Sequence, residues 1–171
     1  MAKEIEIRTG NGTVKYKIPV NEIAFEYVSR VLEQNNKFSL PVKGSKNAAG
    51  YDFINPEEVT IQPKEIKYVK TGIKALFPDD IVLLLFNRSS NPKKKGLILI
   101  NGVGVVDADY YNNEDNEGEI AFAFYNITDN PITIEKGEKL GQGMFTVYAN
   151  VTGYNSETVN ERKGGFGSTG E

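Results

Sequence analysis

The chain has 171 residues, a hydrophobic fraction of 39%, a formal net charge of −3, and neither histidine nor cysteine. Disulfides, thiolate chemistry, a serine–histidine triad and a histidine-held zinc are therefore excluded. Any metal must be held by oxygen, as magnesium is, and any general base must be Asp, Glu, Lys or Tyr.

The negative balance speaks against duplex nucleic acid as a partner. The longest apolar run, Ile81 to Phe86, has the length of a strand and is too short to span a membrane. The start Met1-Ala2-Lys3-Glu4 lacks a signal-peptide stretch, so the expectation is a cytoplasmic protein with no membrane partner. In chain order, Ile5 and Ile7 alternate with charges, Thr9 to Gly12 carries an Asn-Gly turn signal, and Val14, Tyr16 and Ile18 alternate again. That pattern predicts a hairpin. Ile23, Tyr27, Val28, Val31 and Leu32 follow at helical spacing and predict a helix, with Asn21 as its N-cap and Asn35-Asn36 as its end. From Phe38 onward the pattern is short strands and turns. Strands are predicted at Val59–Ile61, Ile66–Thr71, Ile73–Leu76, Ile81–Phe86, Leu97–Ile100, Val103–Val106, around Ile120–Tyr125, Ile132–Ile134 and Leu140–Val151. Many short strands at even spacing predict an all-β, jelly-roll-like sandwich or barrel. Two polar loops stand out, the basic Asn91 to Lys95 and the acidic Asn112 to Glu119.

Three segments carry possible chemistry. Gly164-Gly165-Phe166-Gly167-Ser168-Thr169-Gly170 offers bare amides to wrap a polyphosphate and a ring to stack on a base, with Arg162 as a charged fork. A mobile tail with a stray Phe is the plainer alternative. Gly102 to Tyr110 places two glycines before Asp107, where small residues let a base edge reach the backbone and desolvation would suit Asp107 to proton transfer. An ordinary strand ending in an Asp turn reads equally well. Arg88-Ser89-Ser90, at a strand end, suits phosphate, and turn chemistry alone also explains the serines.

Taken in order with Ala48-Ala49-Gly50-Tyr51-Asp52-Phe53 and Lys136-Gly137-Glu138-Lys139-Leu140-Gly141-Gln142, these segments resemble the five motifs of the homotrimeric dUTP diphosphatases. The likeness covers Phe38 to the C-terminus. It implies residues 1–36 as an N-terminal hairpin-and-helix extension, 37–150 as the β domain, and 151–171 as a C-terminal arm with a substrate-closing tail. It implies hydrolysis of dUTP to dUMP and pyrophosphate, which limits uracil in DNA and supplies dUMP for dTMP synthesis. Asp107 would deprotonate a water that attacks the α-phosphorus, and Mg²⁺ on the triphosphate would be met by Asp52 through water. Arg88, Ser89, Ser90 and Gln142 would hold the phosphates. Tyr110 would lie beneath the deoxyribose and exclude a 2′-hydroxyl. Main-chain groups of a hairpin from Asn101 through Gly104, Val105 and Val106 would read uracil. Phe166 would close over the base, with Arg162, Gly167, Ser168 and Thr169 around the phosphate end. The family site is shared by three subunits, so a lone subunit would be inactive.

The chain departs from the family at Tyr111, where many relatives carry Arg or Gln, at Lys139 in place of the usual Arg, and at Arg162, one residue closer to Phe166. Segment 112–119 is expected to lengthen a surface hairpin. Two other functions fit parts of the pattern. A dCTP deaminase of the same fold also has Arg-Ser-Ser, but needs a glutamate near the pyrimidine, and only Glu119 borders the strand concerned. A regulatory protein that keeps the fold and docks a protein partner is the second.

Overall fold

Alternation of apolar and polar residues decides most of this architecture. In β9 (Ile81–Asn87), Ile81, Leu83 and Leu85 are buried while Val82, Leu84 and Phe86 are partly exposed, the period-two signature of a strand with one face on a core. In β12 (Ala121–Asn126), Phe122 and Phe124 are fully buried and stacked at 6.0 Å. The structure, a computed structural model, describes residues 2–9, 12–19, 23–35 and 37–149.

The remaining strands, in chain order, are β1 (Ala2–Thr9), β2 (Gly12–Pro19), β3 (Ala24–Tyr27), β4 (Val42–Lys43), β5 (Tyr51–Ile54), β6 (Val59–Ile61), β7 (Ile66–Lys70), β8 (Ile73–Leu76), β10 (Leu97–Leu99), β11 (Val103–Val106), β13 (Ile132–Ile134) and β14 (Lys139–Val147). The one α-helix among the described residues is α1 (Ser29–Glu33). A five-stranded sheet runs β11-β9-β14-β5-β4 and faces a three-stranded sheet β10-β12-β7, with the pairs β13-β6, β3-β8 and β1-β2 beside them. The expected all-β sandwich is what forms. Its core joins Phe53, Leu83 and Leu85 of the larger sheet to Val69, Leu97 and Phe122 of the smaller, with the Phe53 and Phe122 rings 5.6 Å apart.

Three expectations need correction. The predicted helix from Ile23 is mostly strand: Ala24–Tyr27 pairs antiparallel with Ile73–Leu76, and only Ser29–Glu33 is helical, with Val28 at its N-cap. Phe25, outside that helical spacing, packs against Tyr51, Phe53 and Phe145, and ring packing outweighs local preference. Asn21 lies outside the described residues. Asn91–Lys95 is a wide helical turn, pinned where buried Asn91 donates to Asn87 Oδ1 and the Leu140 carbonyl. The stretch expected as a hairpin from Asn101 to Val106 is not paired on itself: β10 pairs with β12 and β11 with β9, so the turn at Ile100–Gly102 carries the chain from one sheet to the other. The predicted hairpin at the N-terminus is present, with β1 and β2 paired from Ala2↔Pro19 to Thr9↔Gly12.

Candidate active site

The register of the large sheet aligns four of its strands in one transverse row. Val103 lies opposite Phe86, Phe86 opposite Gln142, and Gln142 opposite Asp52. At the usual strand spacing, that row spans about 14 Å from β11 to β5. It brings the Ala48–Phe53, Arg88–Ser90 and Lys136–Gln142 segments together at one end and the Gly102–Tyr110 segment at the other.

The charged end is built on Asp52, which is only 5% exposed. Lys139 Nζ donates to its Oδ2 at 2.6 Å and Gln142 Nε2 donates to its Oδ1 at 3.0 Å. Burial alone pushes the carboxyl's pKa up. The hydrogen bonds from Lys139 and Gln142, with the charges of Lys139 and Arg88, outweigh that push and leave it below its ordinary value. Gln142 is held in place because Gly50 packs directly on it, where a Cβ would stand 3.2 Å from the Gln142 Cβ. Arg88 and Ser90 are half-buried and Ser89 is exposed, at the turn that leaves β9.

Among the described residues no group of three carboxylates could cage a metal. Asp52 already accepts one hydrogen bond on each oxygen, and a carboxylate has lone pairs to spare beyond those two. That donor set fits a hydrated cation met through water and carried mainly by substrate phosphates, the usual manner of magnesium.

The other end is a pocket of about 120 Å³ between the two sheets, lined by Asn101, Gly104, Val105, Val106 and Tyr110 together with Leu85, Ile120 and Ala121. Five residues expected to contact base or sugar thus meet in one cavity. Among the described residues β11 is the edge strand of its sheet, paired on β9 alone, so half its N–H and C=O groups point away from β9. Gly104 leaves no side chain between that backbone and the cavity, and it packs tightly on Leu85, where a Cβ would come within 3.0 Å. Asp107 follows pocket-lining Val106 and precedes the short helical turn that carries Tyr110. The dry setting expected of Asp107 is not met within the single chain, where its side chain is exposed. Arg162, Phe166, Gly167, Ser168 and Thr169 lie outside the described residues.

Sequence reasoning missed a second polar cluster, behind Tyr110. The 112–119 segment is not a plain surface loop: Asn113, Gly118 and Glu119 are buried in it. The Glu119 carboxylate accepts from Gly72 N–H at 2.8 Å and is paired with Arg30, with Lys70 at 3.8 Å. The partners are distant in sequence, and no local pattern announces them.

Residues 36–170 match the dUTPase family model. The deoxyuridine 5′-triphosphate nucleotidohydrolase of Lactococcus lactis is 46% identical over 146 residues, covering 85% of this chain and 96% of that protein. A crystal structure of the dUTPase from Streptococcus mutans superposes with a TM-score of 0.70 at 44% identity, covering 75% of this chain and 98% of that one. A mutant dUTPase from phage phi11 of S. aureus, described with a structural Mg(II) ion, has the same fold at 21% identity, with a TM-score of 0.64 over 79% of this chain and 96% of that one.

Proposed function

The chain belongs to the dUTPase family and hydrolyses dUTP to dUMP and pyrophosphate, and from that premise we propose how its residues divide the work. The observation that carries the reading is the pocket where Asn101, Gly104, Val105, Val106 and Tyr110 meet at a strand edge left unpaired among the described residues, immediately before Asp107.

Uracil enters that pocket and pairs with outward-facing main-chain groups of β11. Cytosine presents the opposite donor pattern and would leave buried groups unpaired, a penalty of about 1–3 kcal/mol for each. A 5-methyl group would meet the pocket wall. Tyr110 lies under the sugar. Asp107 accepts a proton from a water whose oxygen bonds to the α-phosphorus. The bond from that phosphorus to the α–β bridging oxygen breaks, and its electron pair leaves with pyrophosphate. Arg88, Ser89, Ser90 and Gln142 orient the phosphates, and Asp52 would meet Mg²⁺ through water. The cation, when bound with substrate, neutralises charge on the leaving pyrophosphate.

The assembly we propose is a homotrimer whose sites are shared. Val105 is 61% exposed and Val103 38% exposed on the outer face of β11, apolar surface that association with other copies of the chain would cover. The same cover would desolvate Asp107. The tail from Arg162, supplied by a neighbouring subunit, would close over base and phosphates. A sedimentation measurement giving the mass of a single active chain would overturn the sharing.

The deaminase alternative loses its base. Glu119 is committed to Arg30 and the Gly72 N–H, and it does not line the base pocket. Pyrophosphate release assayed with dUTP, dCTP and dTTP tests the reading. Turnover of dUTP alone is expected; ammonia release from dCTP, or equal turnover of dTTP, would refute it.

A further inference from the structure

Tyr110 is buried at the floor of the pocket, and its phenol is saturated. The hydroxyl donates to the Glu119 carbonyl at 3.0 Å and accepts from Asn116 Nδ2 at 2.8 Å. The same segment holds its backbone. Asn113 Nδ2 donates to the Tyr110 carbonyl at 2.8 Å. Gly118, at φ +79°, sits so close that a Cβ there would stand 2.5 Å from the Tyr110 carbonyl oxygen. Asn116 cannot turn over, because its Oδ1 already accepts from Asn113 Nδ2 at 2.8 Å and Gly118 N–H at 3.0 Å. Only its Nδ2 can face the phenol.

This segment is clamped from outside by residues that precede the family match at 36–170. Glu117 accepts from the Ser29 N–H at 3.1 Å and the Ser29 hydroxyl at 2.8 Å. Glu119 is paired with Arg30, and the Tyr111 hydroxyl donates to Glu26 at 2.7 Å. Glu117 also lies 3.7 Å from Lys74, whose Nζ donates to Asn112 Oδ1 at 2.6 Å.

An aromatic ring excludes a hydroxyl by contact only if the ring cannot yield. Repulsion falls steeply with distance, so even a small retreat of the ring would make room for the hydroxyl. We infer that segment 112–119, clamped by Ser29 and Arg30 and flanked by the Tyr111–Glu26 bond, holds Tyr110 rigid against the sugar, and that Asn116 is a positioning residue for the choice of deoxyribose over ribose. The inference rests on the reading of Tyr110 as the surface beneath the sugar. It gives the acidic segment and the start of the chain one joint role.

The test is the ratio of kcat/KM for dUTP to kcat/KM for UTP, measured on one preparation of each variant. That ratio does not depend on how much of the sample is folded, so general destabilisation leaves it unmoved. Asn116→Ala should lower it roughly five- to tenfold, the size expected for one buried hydrogen bond. Tyr110→Phe, which loses the Glu119 carbonyl as well, should lower it at least as far, and the double variant should fall no further than Tyr110→Phe, where the Asn116–phenol contact is already gone. Arg30→Ala, which acts through Glu119, should lower it by a smaller factor, roughly two- to threefold. Parental ratios in Asn116→Ala and Tyr110→Phe overturn the inference. Tyr110→Leu checks the reading beneath it. If that variant also keeps the parental ratio, Tyr110 does not face the sugar; if it alone lowers the ratio, Tyr110 faces the sugar and the clamp is idle.

Discussion

Gly141→Ala should damage this protein far more than its chemistry suggests. Gly141 lies in β14 beside Gln142 but faces the opposite way, into the core. A Cβ there would stand 2.2 Å from Phe122 Cε1 and 2.7 Å from the Phe86 carbonyl oxygen. Phe122 cannot withdraw, because it is fully buried, with Phe53 at 5.6 Å and Phe124 at 6.0 Å. The Phe86 carbonyl is backbone of the neighbouring strand, so relieving that contact would strain the β14–β9 ladder. Overpacking of this kind costs about 1–3 kcal/mol, and two immovable neighbours put this site near the upper end. For a chain of this size, about 3 kcal/mol lowers Tm by about 6–12 °C. Thermal denaturation followed by circular dichroism, at equal protein concentrations, measures it. Gln142→Ala is the companion: it removes one hydrogen bond to Asp52 on the outer face, about 1 kcal/mol, and should lower Tm by only about 2–4 °C. A Gly141→Ala Tm within about 2 °C of the parent would show that the core yields where packing says it cannot.

Asp107→Asn should lower kcat by roughly 10²–10⁴ while calorimetric affinity for a non-hydrolysable dUTP analogue stays within about threefold; turnover near the parental rate would move the base elsewhere. Lys139→Ala removes the hydrogen bond and nearest positive charge that oppose the upward push of burial on Asp52. A carboxyl held below its ordinary value stabilises the fold at neutral pH, and that contribution fades as pH falls through its folded pKa. The variant should therefore lose about 1–2 kcal/mol at pH 7, allowing for the partial exposure of Lys139, and unfold in acid at a higher pH. Coincident acid-unfolding curves for the two proteins would count against the pairing.

Strands with clean alternation were legible to the residue: Val59–Ile61, Ile73–Leu76, Val103–Val106 and Ile132–Ile134 all form as read. Ala24–Tyr27 was not, since Phe25 and its neighbours take their conformation from β8 and from rings of β5 and β14, which local spacing does not encode. The short β4 and β5 lack any run long enough to announce a strand, although β5 carries Asp52. Individual site residues were visible as motifs, and five of them, Asn101, Gly104, Val105, Val106 and Tyr110, line one pocket. The brace behind Tyr110 was invisible for a definite reason. Its members, Ser29 with Glu117 and Arg30 with Glu119, are separated by 88 and 89 positions and belong to no recurring pattern. Acidic composition suggested solvent, whereas Glu119 is buried because its charge is matched from three directions.

The outer margin of β11, unpaired among the described residues, also bears on how substrate choice can change over time. Peptide groups are common to every amino acid, so exchanging one side chain for another at Val103, Val105 or Val106 leaves the letters that would meet the pyrimidine unaltered, whereas Gly104 must stay bare. A new nucleobase preference would require the ribbon itself to shift course, and its ladder to β9 resists such a shift. Fidelity lodged in the backbone in this way would be sheltered from most single-codon drift.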